Sequence, residues 1–275
     1  MKKLFALLMA LSLVLSLSAC SEKKKDSAAQ KVEILVFAAA SMQESLNAAI
    51  EKYRAIAPHV TVTATYDSSG TLKTQIQEGA PCDLFISAAP KQMNALDGSL
   101  KNDADKNPDG LDFVVQGSRI NLLENKVTLA VPAGNPAGIH TFDKLAELLR
   151  GGEVKLAIGN SDVPVGQYTQ KIFSYYGIDE AAIAQKLTYG SNAKEVAIQV
   201  SEGLVDCGII YGTDAHSVGL TVVDSATADM CGQVIYPAAV INSGSHHEAA
   251  QVFLNYLSTA DAKACFEAVD FSPLN

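Results

Sequence analysis

The sequence predicts an α/β protein with mostly parallel sheets. Short apolar runs of strand length alternate along the chain with segments whose apolar residues recur at helical spacing. The composition is that of a globular protein, with 48% hydrophobic and 19% charged residues among 275. Repeated alternation of this kind favours parallel strands connected by helices. Because such sheets bind ligands beyond the carboxyl ends of their strands, the strand-to-helix junctions are the places to search for a site.

The first half of the chain contains three predicted strands, at 32–40, 60–66 and 83–89. A helix over 42–57 follows from apolar residues at helical spacing, namely Met42, Leu46, Ile50, Tyr53 and Ile56. A shorter helix is predicted over 71–79, where Gly79 stops it. Weaker signals between 90 and 123 indicate a helix and loops.

The second half continues the alternation. Thr141 and Gly151 are the predicted cap and stop of a helix, and Pro164 suits the first position of another. Strands are predicted at 126–132, 154–159, 207–212, 220–224 and 234–241, and helices at 141–152, after Pro164, at 193–202, 246–257 and 260–268.

The N-terminal residues have the pattern of an export signal. Lys2 and Lys3 precede an apolar run that ends at Leu17, and small residues follow, which is typical of a secretory signal peptide over 1–19. The run is too short to favour a membrane span. The last four residues before the polar segment, LSAC (17–20), resemble the lipobox of bacterial lipoproteins, which implies that Cys20 carries lipid. Residues 20–31 are then a lipidated cysteine and a flexible tether.

Charge and composition exclude several partners. The net charge is −9, and removal of residues 1–19 takes away two lysines and no acidic residue, which makes it −11. Such a chain is a poor match for nucleic acid or an anionic membrane surface, so the membrane is reached through the lipid alone. Trp is absent and aromatic residues make up 7%, which disfavours stacking on sugars or bases.

Four cysteines remain once Cys20 is assigned to the anchor. Cys82 and Cys207 lie in apolar, strand-like runs and are predicted to be buried. Cys231 and Cys265 could form a disulfide outside the cytoplasm, which the spacing leaves open. None of the spacings matches a zinc pattern.

Four strand-to-helix junctions consist largely of small residues. Ser41 stands three residues before Glu44, the spacing of a capping box, so it can cap the helix or bind an anion with the free N–H groups of the first turn. Gly70 is expected to let a ligand approach the backbone closely, and Gly166 is expected to keep the surface clear. The four junctions together predict a cage of N–H and hydroxyl groups around an anion: AAASMQE (38–44), YDSSGTL (66–72), DVPVGQ (162–167) and YGSNAK (189–194).

Four segments of the chain, three of which overlap these junctions, resemble the molybdate-binding proteins of bacterial ABC importers. The resembling segments are FAAASM (37–42), SSGTLKTQIQEGAPCDLFISA (68–88), VPVGQY (163–168) and CGIIYGTDA (207–215). The likeness implies a class II periplasmic-binding-protein fold, with two α/β lobes joined by crossover strands and a ligand cleft between them. Lobe 1 would combine 32–126 with 238–275, lobe 2 would be 127–237, and the crossovers would lie in 126–132 and 234–241.

The same resemblance implies the ligand-binding residues. These are the hydroxyl groups of Ser41, Ser69 and Tyr211 and the backbone N–H groups of Val165 and Ala193. Val165 replaces the usual Ala and Ala193 a commoner Val, which changes the pocket volume more than the number of donors. The implied function is extracytoplasmic binding of molybdate, and of tungstate, by a lipid-anchored monomer that delivers it to an ABC permease. No cofactor, catalytic residue or side-chain metal ligand is implied.

The chemistry of the predicted donors suits a dianion. Molybdate, tungstate and sulfate are deprotonated near pH 7 and need only donors, whereas hydrogen phosphate also needs an acceptor, for which Asp67 is a candidate. Sulfate and phosphate therefore stay open as ligands. A different class, acyl transfer, is suggested by Ser191 and Lys194 in an S-x-x-K pattern, but the accompanying motifs are missing.

Overall fold

The protein is built on two mixed β-sheets with helices packed on them. A computed structural model describes residues 31–274. The predicted signal peptide (1–19), Cys20 and all but the last residue of the predicted tether lie outside the described residues. No helix among residues 31–274 is long and apolar enough to cross a membrane.

The first sheet has six strands in the spatial order β11-β4-β10-β3-β1-β2. They are β1 (Val32–Ala39), β2 (Val60–Asp67), β3 (Leu84–Ile86), β4 (Ile120–Asn125), β10 (Val234–Val240) and β11 (Ser272–Pro273). The second sheet has five strands in the order β7-β6-β8-β5-β9. They are β5 (Val127–Val131), β6 (Leu156–Gly159), β7 (Leu187–Gly190), β8 (Cys207–Tyr211) and β9 (Thr221–Ser225).

The helices of the described residues connect these strands. They are α1 (Gln43–Ile56), α2 (Ser69–Gln77), α3 (Pro90–Asn94), α4 (Phe142–Gly151), α5 (Pro164–Tyr176), α6 (Ala193–Ser201), α7 (Gly212–Ser217), α8 (Ala228–Cys231), α9 (His247–Leu257) and α10 (Ala260–Glu267). Short 3-10 turns lie at Ala40–Met42, Gly98–Leu100 and Ala184–Lys186.

The sheets are mixed, so the expectation of mostly parallel sheets was wrong. β1 pairs in parallel with β2 and β3, and β6 pairs in parallel with β7 and β8. Near the passages between the sheets the strands run antiparallel: β10 with β3 and β4, and β5 with β8 and β9. β10 is the strand by which the chain returns to the first sheet after building the second, and it enters that sheet antiparallel to β3 and β4.

The passages between the sheets differ from the predicted crossovers. β5 lies wholly in the second sheet and β10 wholly in the first, so the chain changes sheets at Lys126 and between Ser225 and Val234. Residues 234–237 were assigned to lobe 2 by the sequence. In the structure they belong to β10, because they pair with β4, a strand that the sequence did not reveal.

Individual helices follow the predicted patterns with local differences. In α1, Leu46, Ile50 and Tyr53 are buried as expected, whereas Ile56, at the C-terminal end, is 61% exposed. Burial of an apolar side chain such as Leu46 or Ile50 contributes about 1.5–3 kcal/mol, and this contribution holds α1 on the sheet. In α4, Thr141 caps the helix by accepting from the Lys144 N–H, but the left-handed residue that ends it is Gly152.

The cysteines are structural. Cys82, Cys207, Cys231 and Cys265 are all buried and unpaired, so the disulfide left open between the last two is not formed. Burial raises the pKa of the Cys82 thiol to about 12. Buried thiols of this kind behave as small apolar side chains.

Candidate functional site

Two of the predicted site residues follow neighbouring parallel strands of the first sheet. β1 and β2 are paired from Val32↔Val60 to Ala39↔Asp67, so both strands end at the same edge. Ser41 lies two residues beyond β1, and Ser69 two residues beyond β2, at the first position of α2. Both side chains are buried.

The other three follow neighbouring parallel strands of the second sheet. β6 pairs in parallel with both β7 and β8, so these strands also end at a common edge. Val165 is in the first turn of α5, Ala193 begins α6, and Tyr211 is the last residue of β8. All three are at most 5% exposed. The five predicted residues therefore lie at the carboxyl ends of strands, where ligands of α/β proteins bind.

Ser41 does not cap the helix that follows it. It belongs to the 3-10 turn Ala40–Met42, and the N-cap of α1 is Met42, which makes no side-chain cap. The predicted capping box of Ser41 and Glu44 is therefore wrong, because the extra turn moves the hydroxyl away from the first N–H groups of α1. The Ser41 hydroxyl instead lies 2.9 Å from the Tyr236 hydroxyl, and either group can donate.

Tyr236 links Ser41 to the second sheet. Its hydroxyl accepts from Asn125 Nδ2 at 3.1 Å, and the same amide donates to Thr213 Oγ1 at 3.0 Å. Its ring packs edge-on against Tyr211, with the ring centroids 5.7 Å apart. Ser41 and Tyr211, from the two sheets, thus both contact Tyr236. Sequence reasoning missed this residue, since its strand carries no local signal for a partner 195 residues earlier.

Tyr211 carries a buried hydroxyl that lacks a partner. The residue is 1% exposed, and its hydroxyl makes no hydrogen bond of acceptable geometry with any described residue. Burial, helped by the nearby Tyr236 phenol, raises the pKa of Tyr211 well above its ordinary value, so the group stays protonated and can donate. An unsatisfied buried hydroxyl costs about 1–3 kcal/mol, and an acceptor bound at this position would remove that cost.

Ser69 has a hydroxyl that can still donate. Its Oγ accepts from the Ala88 N–H at 2.9 Å, which leaves the hydroxyl proton for another group. Ser68 caps α2 by accepting from the Thr71 N–H. Asp67, the candidate acceptor for a protonated anion, accepts from the Ser68 N–H at 2.6 Å through Oδ1.

The helices that carry Val165 and Ala193 begin with free N–H groups. The cap of α5 is Val163, which has no side-chain acceptor, and Pro164 follows it. In α6, Asn192 accepts from the third N–H, that of Glu195, at 3.0 Å. The first-turn N–H groups of Val165 and Ala193 therefore have no partner within their helices and are available as donors.

Each sheet with the helices packed on it forms one half of the molecule. The two halves contact one another around these residues. A Cβ on Gly70, in α2, would lie 2.3 Å from the Asp162 carbonyl oxygen, which precedes α5. Gly70 was expected to admit a ligand, but the structure uses it for close contact between the halves. Gln92 donates to Gln167 at 3.3 Å, and Lys194 donates to Gln43 at 2.8 Å, both across the same boundary.

The second predicted glycine also serves packing. A Cβ on Gly166 would lie 2.2 Å from the Asn160 carbonyl oxygen and 2.4 Å from that of Gly159. Gly166 therefore lets α5 start directly against the end of β6, and it does not act as an open surface for a ligand.

The structure joins only some of the five residues. Ser41 and Tyr211 meet at Tyr236, and the segments of Ser69 and Val165 meet through Gly70 and Asp162. Among residues 31–274, no side-chain hydrogen bond joins two of the five directly.

The acyl-transfer pattern lacks the required geometry. Ser191 donates both its hydroxyl and its backbone N–H to Glu195 Oε2, each at 2.7 Å. The Lys194 ammonium donates to Gln43 and makes no contact with Ser191 that would remove its proton. These hydrogen bonds also lower the pKa of Glu195, so the carboxylate stays charged.

The chain belongs to the family of bacterial extracellular solute-binding proteins, which matches residues 34–271. Its two-sheet architecture is the two-lobe α/β fold of the binding proteins. One relative is the "Putative ABC transporter substrate-binding lipoprotein YvgL" of Bacillus subtilis (strain 168), 30% identical over 274 residues that cover 98% of both chains. The molybdate-binding protein ModA of Escherichia coli (strain K12) is 30% identical over 250 residues, 89% of this chain and 90% of that one.

Solved structures agree with this family. The "substrate binding domain of putative molybdenum ABC transporter from Clostridium difficile" has a TM-score of 0.64 at 28% identity and covers 89% of this chain and 100% of that chain. The sulfate-binding protein SubI of Mycobacterium tuberculosis H37Rv has a TM-score of 0.70 over 89% of this chain and 88% of that chain. At 20% identity, SubI shows the shared fold alone.

Proposed function

We propose that this chain is the lipid-anchored substrate-binding component of an ABC importer and that it binds molybdate, and also tungstate. The oxyanion lies between the two sheets. It accepts hydrogen bonds from the hydroxyl groups of Ser41, Ser69 and Tyr211 and from the backbone N–H groups of Val165 and Ala193. The protein acts as a monomer and needs no cofactor.

The unpartnered Tyr211 hydroxyl is the observation that carries this proposal. It is buried at the end of β8, beside the Tyr236 ring that also contacts Ser41. A buried donor without an acceptor is satisfied when an oxyanion binds there, and a charge-assisted hydrogen bond contributes about 1.5–3 kcal/mol net.

The donor set favours a fully deprotonated dianion. Hydroxyl and N–H groups supply donors, and none of the five residues supplies a carboxylate acceptor for the proton of hydrogen phosphate. Asp67 lies outside these five residues and accepts the Ser68 N–H through Oδ1. Similarity to proteins named for molybdate and molybdenum supports molybdate over sulfate, which would use the same donors.

The anchor and the permease complete the proposal. The lipobox-like residues 17–20 end in Cys20, and the relative YvgL is named a lipoprotein of an ABC transporter. Lipid on Cys20 would hold the protein at the membrane, where it delivers the oxyanion to a permease. Because Lys194 does not contact Ser191, we propose a binding role without a catalytic residue.

A thermal-shift panel of oxyanions tests the ligand. A ligand at about 100 times its Kd stabilises a protein by about 2.7 kcal/mol, which for this size is about 5–11 °C in Tm. We expect such shifts with molybdate and tungstate and none with phosphate. A Tm shift with sulfate alone would show that sulfate, not molybdate, is the ligand. A Tm shift with phosphate but not with molybdate would contradict the proposed set of donors.

A further inference from the structure

Asp214 is a buried carboxyl group beside the proposed oxyanion site. It lies in α7, three residues after Tyr211, and is 3% exposed. Its Oδ2 atom has no hydrogen-bond partner among the described residues. An ionised carboxylate is costly in such a place, whereas the protonated form is neutral, so the surroundings favour a bound proton.

A cavity of about 300 Å³ adjoins Asp214 between the two halves of the molecule. Ser41 and Gln43 line it from the first half, and Lys194 and Thr213 from the second. Ser41 is thus shared by this cavity and by the proposed oxyanion site. A charge on Asp214 therefore acts on a bound oxyanion through the protein interior, where charges are screened far less than in water.

Few titratable groups face Asp214 from the elements packed around it. Lys194 favours its charged form, but burial dominates and raises the pKa of Asp214 to about 7. Asp224, on β9, is held by the N–H groups of Phe142 and Ser225. β5 and the 3-10 turn that contains Ser41 contribute none. The remaining groups are Glu195 on α6, which accepts from Ser191, Glu44 at the cavity, Tyr211 on β8, Tyr236 on β10, and His216 on α7 beside Asp270.

We propose that Asp214 is a proton-binding residue coupled to the oxyanion site, so that the dianion and one proton enter the closed protein together. This inference rests on the proposed function. A dianion near an ionised carboxylate is repelled, and protonation of Asp214 removes that repulsion. Asp214 acts through its charge and is a positioning residue, not a ligand.

The coupling makes oxyanion affinity depend on pH. Linkage is reciprocal: if the protonated form binds the dianion better, the bound dianion raises the pKa of Asp214 by the same free energy. Well below pH 7 the carboxyl is almost entirely neutral, so the affinity levels off there. Above pH 7 the free protein loses its proton and must regain it on binding, so the affinity falls by up to about tenfold per pH unit.

Calorimetric titration with sodium molybdate tests the coupling. The full chain, purified in mild detergent, is titrated at pH 6.5, 7, 8 and 9 in pairs of buffers with different ionisation enthalpies. Between pH 7 and 9 we expect Kd to rise about 10- to 50-fold. The buffer dependence at pH 8 should show uptake of up to one proton per molybdate.

Matched variants assign the proton. Asp214→Asn keeps the size of the side chain and mimics the neutral form, so its Kd should not vary with pH and it should take up no proton. Asp229→Asn, at an exposed aspartate of α8, should keep the parental profile. His216→Asn should also keep it, and if it abolishes the uptake, the proton belongs to His216 and the proposal is overturned.

The outcomes separate this inference from the function on which it rests. Molybdate binding with a constant Kd and no proton uptake overturns the inference alone. An Asp214→Asn variant that keeps the parental pH profile does the same. If that variant does not fold, the buffer dependence of the parent still shows whether a proton is taken up, and His216→Asn still shows whether that proton belongs to His216. No molybdate binding at any pH overturns both proposals. Tighter binding of phosphate than of molybdate at pH 9 would show that Asp214 acts as an ionised acceptor, which also overturns this inference.

Discussion

At the scale of single residues, Tyr236 determines what Ser41 and Tyr211 can do. Its hydroxyl contacts Ser41, and its ring packs on Tyr211, so both candidate donors are held by one side chain. Asn125 donates to the Tyr236 hydroxyl, which leaves that hydroxyl free to donate its own proton to Ser41. The Ser41 proton is then available to an oxyanion.

Tyr211→Phe removes the unpartnered hydroxyl and keeps the ring. We expect molybdate binding to weaken by about 1.5–3 kcal/mol, or about 10- to 150-fold, through loss of a charge-assisted hydrogen bond. The free energy of unfolding of the ligand-free protein should stay the same or rise, because the lost group had no partner. Calorimetry and denaturant melts measure the two effects. Tyr175→Phe, at a tyrosine 55% exposed, is the matched control, and equal molybdate affinity in both variants would contradict the site.

Ser41→Ala should affect both binding and stability. The variant loses the hydrogen bond to Tyr236, which should cost about 0.5–1.5 kcal/mol of unfolding free energy, and it loses a ligand donor as well. No capping energy is lost, since Met42 is the N-cap of α1. Ser201→Ala removes an exposed hydroxyl that bonds only to Ile198 and should change neither quantity. A Ser41→Ala protein with parental melts and parental affinity would show that its hydroxyl does not have this role.

At the scale of elements, the strands with continuous apolar runs could be predicted and the short ones could not. β1, β2 and β8 are rich in apolar or β-branched residues, whereas β4 reads INLLEN and β11 has two residues. Their pairing depends on long-range partners, which a local pattern does not contain. For the same reason the junctions indicated where the site residues lie, but not the contact of Ser41 with Tyr236.

The junction glycines show what sequence patterns leave undetermined. Small residues at a strand end suit either a ligand or a close contact between segments, and the two cannot be distinguished without tertiary structure. Gly70 contacts Asp162 of the other half, and Gly166 packs on the backbone of its own half. Both glycines are required, but for packing.

Gly70→Ala should therefore weaken the contact between the two halves without unfolding either of them. Alanine would ordinarily stabilise a helix by about 0.5–1 kcal/mol relative to glycine. Here its Cβ would lie 2.3 Å from the Asp162 carbonyl oxygen, so the halves cannot meet as described. We expect weaker molybdate binding with little loss of unfolding free energy. Gly166→Ala, blocked within one half, should unfold more easily.

Gly212→Ala provides the control for these two variants. Its Cβ would be 3.7 Å from the nearest atom, a Thr128 methyl carbon, which is ordinary contact. Its unfolding free energy should match or slightly exceed that of the parent, because alanine is the better helix former. If Gly70→Ala binds molybdate as tightly as the parent, contact at this point is not needed for the bound state.

At the scale of the whole molecule, the proposed anchor can be tested apart from the fold. Cys20→Ser removes the sulfur that would carry lipid, so we expect the protein to be lost from the lipidated membrane fraction. Ser21→Ala, the adjacent change, should leave the distribution unchanged. Fractionation after metabolic labelling with a fatty acid measures both. Labelling of the Cys20→Ser protein at the parental level would contradict the lipobox interpretation.

The position of the bound metal tests the proposed site most directly. Crystals of the protein grown with molybdate, measured at the molybdenum absorption edge, give an anomalous difference map in which molybdenum is the strongest scatterer. We predict one peak between the two sheets, with its oxygens within hydrogen-bonding distance of Ser41, Ser69 and Tyr211 and of the N–H groups of Val165 and Ala193. A peak elsewhere on the molecule, or none at saturating molybdate, would contradict the assignment.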